Sequence, residues 1–187
     1  MTDLSREQFD SIEFDAAASG DHIAAARTMT ELAAIADQNP RMLRAEALLR
    51  AAEQWLLADQ PAEAVTALRS ALAYGGPGFV DPLVPLARAL FLLGRDPEAQ
   101  ALLNRLKTDG LRDGRTCDLV AELLVERSDL TAALEWATAG VELCLARQAD
   151  QPEAEEPELR MLLRLRYRIR IDLGLPEDRY DALLDEA

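Results

Sequence analysis

The spacing of apolar residues, interrupted at short intervals by turn-forming residues, constrains the fold of this chain more than any other feature. Apolar side chains recur at i, i+3, i+4 and i+7 along almost all of the 187 residues, which is the period of amphipathic helices. Glycine, proline and aspartate cut this pattern into about ten short helices. Paired helices are predicted over residues 5–38, 41–74, 82–107 and 116–147, with two more helices over 157–186.

Local signals mark several of the predicted helix ends. Ser5 and Gln8 have the spacing of a capping box, in which a serine side chain satisfies a backbone N–H at the start of a helix. Asp59 is expected to cap the helix that follows it. Gly110 and Gly114 are expected to bracket a loop, with the next helix beginning near Thr116.

One segment departs from the helical pattern. Residues 163–173 alternate between apolar and polar side chains, which is typical of a strand. A lone strand would leave its backbone N–H and C=O groups unpaired. On a helix the apolar residues of this segment share one broad face, so a helix is predicted; these residues are Met161, Leu162, Leu165, Ile169 and Leu173.

The predicted helix pairs repeat along the chain. Each second helix carries an alanine near its start, and the intervals between these alanines are 39, 35 and 34 residues; they are Ala25, Ala64, Ala99 and Ala133. A helix–turn–helix unit with a period near 34 residues is the mark of one class of helical repeat.

This repeat resembles the tetratricopeptide repeat, whose consensus reads W-x2-L-G-x2-Y, then A-x3-F, then P. The third pair matches it best, through Leu83, Leu86, Ala87 and Leu90, then Ala99 and Leu103. The second and fourth pairs match through Leu48, Ala51, Ala52, Trp55, Ala64 and Leu68, and through Cys117, Val120, Ala121, Leu124, Ala133 and Ala137. The first matches through Phe9, Ile12, Glu13, Ala16, Ala25 and Met29.

The resemblance implies an all-α fold, a right-handed α-α superhelix (TPR-like solenoid) of about four helical hairpins plus a C-terminal helical pair, forming one domain over residues 1–187. Three alanines are expected where the two helices of a hairpin cross most closely, because a larger side chain would push the helices apart; they are Ala52, Ala87 and Ala121.

No arrangement of residues typical of catalysis is evident. Cys117 and Cys144 lack a nearby histidine, since His22 is the only one in the chain. Two cysteines form neither a disulfide framework nor a zinc site, so both are expected to be small core residues. We therefore predict a protein that is not an enzyme and has no cofactor, metal or catalytic residue.

Charge restricts the partners that this chain can bind. Against 34 acidic residues there are 20 basic ones, which gives a net charge of −14. Such a chain repels nucleic acid and anionic lipid, so neither is expected as a direct partner. The sequence contains no apolar run long enough for a signal peptide or a membrane span, and a cytoplasmic location is expected. The predominance of arginine and alanine suggests a bacterial source.

In tetratricopeptide proteins the first helix of each pair lines a concave groove, and the resemblance implies a groove here that binds a protein or peptide. The groove residues so implied are Asp10, Phe14, Glu46, Leu49, Glu53, Arg88, Phe91, Asp118, Glu122 and Glu126. This set is mainly acidic with apolar spots, so a basic ligand with an apolar anchor is expected. The lysines and asparagines of the family's carboxylate clamp are missing from the groove.

Arg164 and Arg168 are expected towards the C-terminal end of this groove. The acidic segment 150–158 is predicted to be a solvated linker that neutralises these arginines. Two other functions fit the same sequence. One is a helical regulatory or sensor module of a transcriptional or signalling system. The other is a helical-repeat protein that self-associates as a homodimer through an uncapped end.

Overall fold

A computed structural model describes residues 5–35, 41–74, 82–109, 113–151 and 157–184. Within these ranges the chain forms nine α-helices and one 3-10 helix, and no residue of them lies in a strand. The all-α prediction is confirmed. The chain divides into two compact units, residues 1–103 and 104–187.

The first unit consists of successive antiparallel helices that pack on their neighbours in chain order. Helix α1 packs on α2, α2 on α3, α3 on α4 and α4 on α5, while α1 also contacts α3. Helix α6 begins in this unit and ends in the next. The helices are α1 (Arg6–Ser19), α2 (His22–Ile35), α3 (Arg41–Leu57), α4 (Pro61–Tyr74), α5 (Leu83–Leu92) and α6 (Asp96–Thr108).

The second unit contains the end of α6, three further helices and a short C-terminal 3-10 turn. Helix α8 packs between the other two, since it contacts both α7 and α9, and α7 and α9 also touch each other. The predicted last helix is a single 3-10 turn that packs on α9. These elements are α7 (Gly114–Glu126), α8 (Leu130–Asp150), α9 (Pro157–Asp172) and the 3-10 helix (Asp181–Leu184).

Alanines form much of the core, as the repeat predicts. Ala52, Ala87 and Ala121 are fully buried, and so are the repeated alanines near the starts of α4, α6 and α8, with Ala25 of α2 nearly so. Helices whose facing side chains are this small pack closely, because ridges of methyl groups let the axes approach. The burial of these small residues is therefore consistent with the repeat pattern.

Each hairpin turn contains one residue in the left-handed backbone region. These residues are Gly20 (φ 75), Asp59 (φ 56), Gly94 (φ 69) and Ser128 (φ 62). Each lies five positions before the repeated alanine of its hairpin. In the last three, the N–H after the left-handed residue donates to a carbonyl five residues back, at 2.8–2.9 Å, which is the Schellman termination of a helix.

Two local predictions need correction. The turn conformation at Asp59 and the proline at the first position of α4 leave Gln60, not Asp59, directly before that helix. Helix α7 begins at Gly114, earlier than the predicted loop allows, because the Asp113 carboxylate accepts a hydrogen bond from the backbone N–H of Thr116 at 2.6 Å. The Ser5 prediction is confirmed, since its hydroxyl accepts from the N–H of Gln8 at 3.3 Å.

Residues 163–172 are helical, as predicted, and α9 holds the C-terminal segment by buried charges. Arg166 is almost fully buried and pairs with Asp178 and with Asp181, the latter at 3.1 Å. Arg170 pairs with the same two carboxylates, at 3.0 and 3.1 Å. The hydroxyl of Tyr180 donates to Glu142 of α8 at 2.7 Å. These contacts tie the 3-10 helix to both α8 and α9.

Candidate functional site

Two neighbouring helices of the first unit, α1 and α3, share a charged surface, which we call the α1–α3 face. Arg50 of α3 lies at its centre. The Arg50 guanidinium contacts the carboxylates of Asp10 at 2.6 Å and Glu13 at 2.9 Å on α1, and of Glu46 at 3.4 Å on its own helix. Arg6 of α1 pairs with Glu46 at 3.1 Å. The predicted groove residues Asp10 and Glu46 are therefore already ion-paired.

Glu53 lies one turn beyond Arg50 on α3 and differs from the other carboxylates of this face. Burial raises the pKa of Glu53, repulsion from Glu13 raises it further, and attraction to Arg50 opposes both. The residue nevertheless reaches solvent. The charged form of Glu53 is therefore less favourable than that of an isolated carboxylate.

Apolar side chains border the charged centre of the α1–α3 face. Phe14 is one turn after Asp10 on α1 and is 75% exposed. Leu57 is one turn after Glu53 on α3 and is 64% exposed. Leu49 is half-buried. Large exposed apolar side chains beside charged ones are typical of surfaces that bind other proteins.

The two predicted groove residues of α5 lie differently from one another. Phe91 is buried, with 8% of its surface exposed, and it offers little area to a ligand. Arg88, one turn earlier, is half-buried.

In the second unit, Asp118, Glu122 and Glu126 follow each other along α7. Asp118 is buried, whereas Glu122 and Glu126 are exposed. Burial raises the pKa of Asp118, and repulsion from Glu122 and Glu158 adds to the effect, while Arg115 opposes it. Asp118 is thus covered by its own chain, and the accessible carboxylates of this helix are Glu122 and Glu126.

Several contributors to the α1–α3 face are absent from the predicted residue set. Arg6, Glu13, Arg50 and Leu57 all belong to it. The signal for Arg50 was present in the sequence, because it follows Glu46 by four positions and therefore lies on the same side of the helix. Its contacts with α1 join residues 40 and 37 positions apart, and no local pattern predicts such a pair.

The described residues contain no cluster of three or more side chains that could hold a metal ion. Cys117 and Cys144 are buried, as predicted, and neither forms a disulfide. Burial raises the pKa of Cys117 to about 12, so its thiol stays protonated and is a poor nucleophile. Nδ1 of His22 lies 2.8 Å from Oε1 of the buried Gln54. None of the described helices has the length and apolar character needed to cross a bilayer.

Comparison with known proteins agrees with this architecture. A family model described as tetratricopeptide repeat matches residues 56–123, whereas no curated protein matches the chain. A crystal structure of a Podosopora anserina putative kinesin light chain with nearly identical TPR-like repeats aligns with a TM-score of 0.60 at 20% identity, covering 90% of this chain and 86% of that one. A variant of that protein gives 0.62 at 20% identity, covering 97% and 91%.

At this level of identity, similarity to solved structures establishes the fold. The family match spans parts of α3 and α7 and the whole of α4, α5 and α6. The same repeat is visible outside those limits in the left-handed turn residue and the alanine five positions later. The chain therefore has a TPR-like, all-α fold of helical hairpins, and residues 56–123 match the tetratricopeptide repeat itself.

Proposed function

We propose that this protein is a non-catalytic scaffold or adaptor that binds a basic segment of a partner protein on the α1–α3 face. The observation that carries the proposal is the exposed Phe14 beside a group of carboxylates that outnumber their cations. Four carboxylates belong to this face, those of Asp10, Glu13, Glu46 and Glu53, against the guanidinium groups of Arg6 and Arg50. The face therefore has a residual negative charge.

The geometry favours particular features in the ligand. An arginine or lysine of the ligand would approach Glu53, where an added cation relieves the repulsion from Glu13. An apolar side chain of the ligand would cover Phe14, since burying a phenyl ring stabilises a complex by about 2 kcal/mol. Asp10 and Glu46 then act through Arg50, because their ion pairs with its guanidinium reduce the repulsion between Arg50 and a basic ligand.

Peptides of defined sequence test this proposal. The probes are extended peptides with two arginines flanking one leucine, and the same peptides with glutamate in place of arginine. Fluorescence anisotropy should detect binding of the arginine set to the intact chain. Glu53→Lys and Phe14→Ser should each weaken it about tenfold or more.

Glu63→Lys provides the matched control, because Glu63 is an exposed carboxylate on α4 in the same unit and the change in net charge is identical. If Glu53→Lys and Glu63→Lys have equal effects, net charge alone governs binding and the face is not the site. Reversal of Glu122 to lysine is tested separately. Unchanged affinity there would refute the predicted groove roles of Asp118, Glu122 and Glu126 on α7, which is not part of the α1–α3 face.

A partner-binding role in the cytoplasm is compatible with two narrower functions. One is a regulatory module of a transcriptional or signalling system, and the other is a homodimer. Light scattering over a range of protein concentrations separates the second from a monomer that binds other proteins, because only self-association raises the mean mass with concentration.

A further inference from the structure

The arginines of α9 form two sets that face in different directions. Arg166 and Arg170 face the chain itself and pair with Asp178 and Asp181. Arg160, Arg164 and Arg168 are exposed, and none of their guanidinium groups is ion-paired to a described residue. The helix thus satisfies its inner arginines with carboxylates and presents an outer row of three that are unmatched within the described structure.

The outer arginines follow one line along the helix. They recur at every fourth position, so successive guanidinium groups are about 6 Å apart along the helix axis. Met161 and Ile171 flank this row and are 50% and 58% exposed. Tyr167 is also exposed and precedes Ile171 by one turn. The buried side of α9 packs on α7, α8 and the 3-10 helix. This outer side therefore combines positive charge with apolar area.

We propose that this outer face of α9 binds an acidic amphipathic helix of a partner protein. The face consists of Arg160, Met161, Arg164, Tyr167, Arg168 and Ile171. A helix with carboxylates at every fourth position has the same 6 Å spacing as the arginines. Apolar residues beside its carboxylates would cover Met161 and Ile171, as in other helix-to-groove complexes.

Charge distinguishes this occupant from two others. The chain has a net charge of −14, so nucleic acid is repelled at long range even where three arginines cluster. Two copies of the chain repel one another for the same reason. An acidic helix of modest charge is repelled by the net charge of the chain less than nucleic acid or a second copy is, and it is attracted by the row of arginines. This face belongs to the second unit and the α1–α3 face to the first, and its test does not depend on the proposed function.

The test uses the intact chain and a synthetic helix of about 16 residues, long enough to be partly helical alone, with glutamate at every fourth position and leucine beside each glutamate. A peptide of equal composition with its glutamates distributed around the helix is the comparison. Fluorescence anisotropy should show that the patterned peptide binds at least about fivefold more tightly. Equal binding of the two peptides, or no binding of the patterned one, would overturn the proposal.

Arg164→Glu should weaken binding of the patterned peptide about tenfold or more, because it replaces an attraction by a repulsion at the centre of the row. Arg27→Glu is the matched control, since Arg27 is an exposed arginine on α2 in the other unit and the change in net charge is the same; it should alter the Kd less than about twofold. Ile171→Ser should weaken binding about threefold or more. Circular dichroism of each variant shows whether the fold is retained.

Three further outcomes would assign the face to a different occupant and overturn the proposal. One is that the peptide binds only after Glu153, Glu155 and Glu156 are changed to glutamine, which would make the chain's own acidic segment the occupant. Another is tight binding of a single-stranded oligonucleotide that Arg164→Glu abolishes. The last is a concentration-dependent dimer that the same variant converts to a monomer, which would identify a second copy.

Discussion

Replacing Gly140 by alanine tests how closely the three helices of the second unit approach each other. Gly140 is buried in the middle of α8. A Cβ atom built there would lie 2.7 Å from Cβ of Cys117 on α7, and 2.9 Å from both terminal methyl groups of Leu162 on α9. These distances are below ordinary van der Waals contact between carbon atoms, so neighbouring atoms must move.

Two opposing effects determine how Gly140→Ala changes the free energy of unfolding relative to the wild type. Alanine favours an α-helix over glycine by about 1 kcal/mol. Overpacking a core costs about 1–3 kcal/mol, and the upper part of that range applies because Cβ of Cys117 cannot rotate away from its own backbone. The Leu162 methyl groups can shift by changing rotamer. The expected net result is a destabilisation of about 1–2 kcal/mol.

Urea unfolding measures this change. Trp136 lies one turn before Gly140 on α8 and is buried, whereas Trp55 belongs to the other unit. In a Trp55→Phe background, fluorescence therefore reports on the second unit. The unfolding midpoint should fall by about 0.5–1 M, for a denaturant slope of about 2 kcal/mol per molar urea.

A second substitution supplies the control. Leu162→Ala alone should destabilise the unit by about 2–5 kcal/mol, yet it removes two of the three crowded atoms near Gly140. Gly140→Ala should then cost less in the Leu162→Ala background than in the wild type, and the difference is the coupling energy of the pair. If Gly140→Ala instead raises stability by its helix-propensity gain, the helices do not approach at this glycine and the reasoning is wrong.

Two further predictions concern the hairpin turns and the C-terminal segment. Ser128→Gly should stabilise the chain by about 1 kcal/mol, and Gly94→Ala should destabilise it by a similar amount, because both positions have positive φ. Nothing lies within 4 Å of a Cβ atom at Gly94, so the effect there comes from the backbone alone. Urea unfolding in which both variants shift in the same direction would contradict this prediction. The Arg166 hydrogen bonds hold the pKa of Asp178 below its usual value. The stabilisation of the folded chain by ionised Asp178 is therefore complete above about pH 4 and is lost as the pH falls further. Asp178→Asn should lower stability at pH 7, and the difference from the wild type should shrink below about pH 4 in unfolding curves; a difference independent of pH would be contrary evidence.

Local periodicity predicts most of the architecture because helix formation and helix ends depend on residues close in sequence. The helix over residues 163–172 is a partial exception, since its alternating residues favour a strand when read alone, and the lack of a partner strand decides for a helix. The repeated alanines are equally local. The left-handed turn residues Asp59 and Ser128 are harder to predict, because neither is a glycine and only their fixed distance from the next alanine identifies them.

Local periodicity does not predict which residues of the candidate site are buried. In a helical repeat each helix has neighbours on several sides, so a helical wheel identifies an apolar stripe but not which of the remaining positions a neighbour covers. Phe91 and Asp118 are covered in this way, and Asp118 carries the raised pKa of a carboxylate buried near others. Phe14 on α1, which is also a predicted groove residue, remains exposed.

The sign of charge on a surface also depends on contacts between distant residues. Counting the predicted groove residues of α1 and α3 gives three carboxylates and no cation. In the fold, Arg50 and Arg6 reach two of those three, Asp10 and Glu46. The surface that we propose for a ligand is therefore narrower than an acidic groove. It consists of Glu53 on α3, whose pKa is raised, and the exposed Phe14 on α1. A basic ligand is expected to depend on Glu53 far more than on Asp10, although a count of charges treats the two as equal.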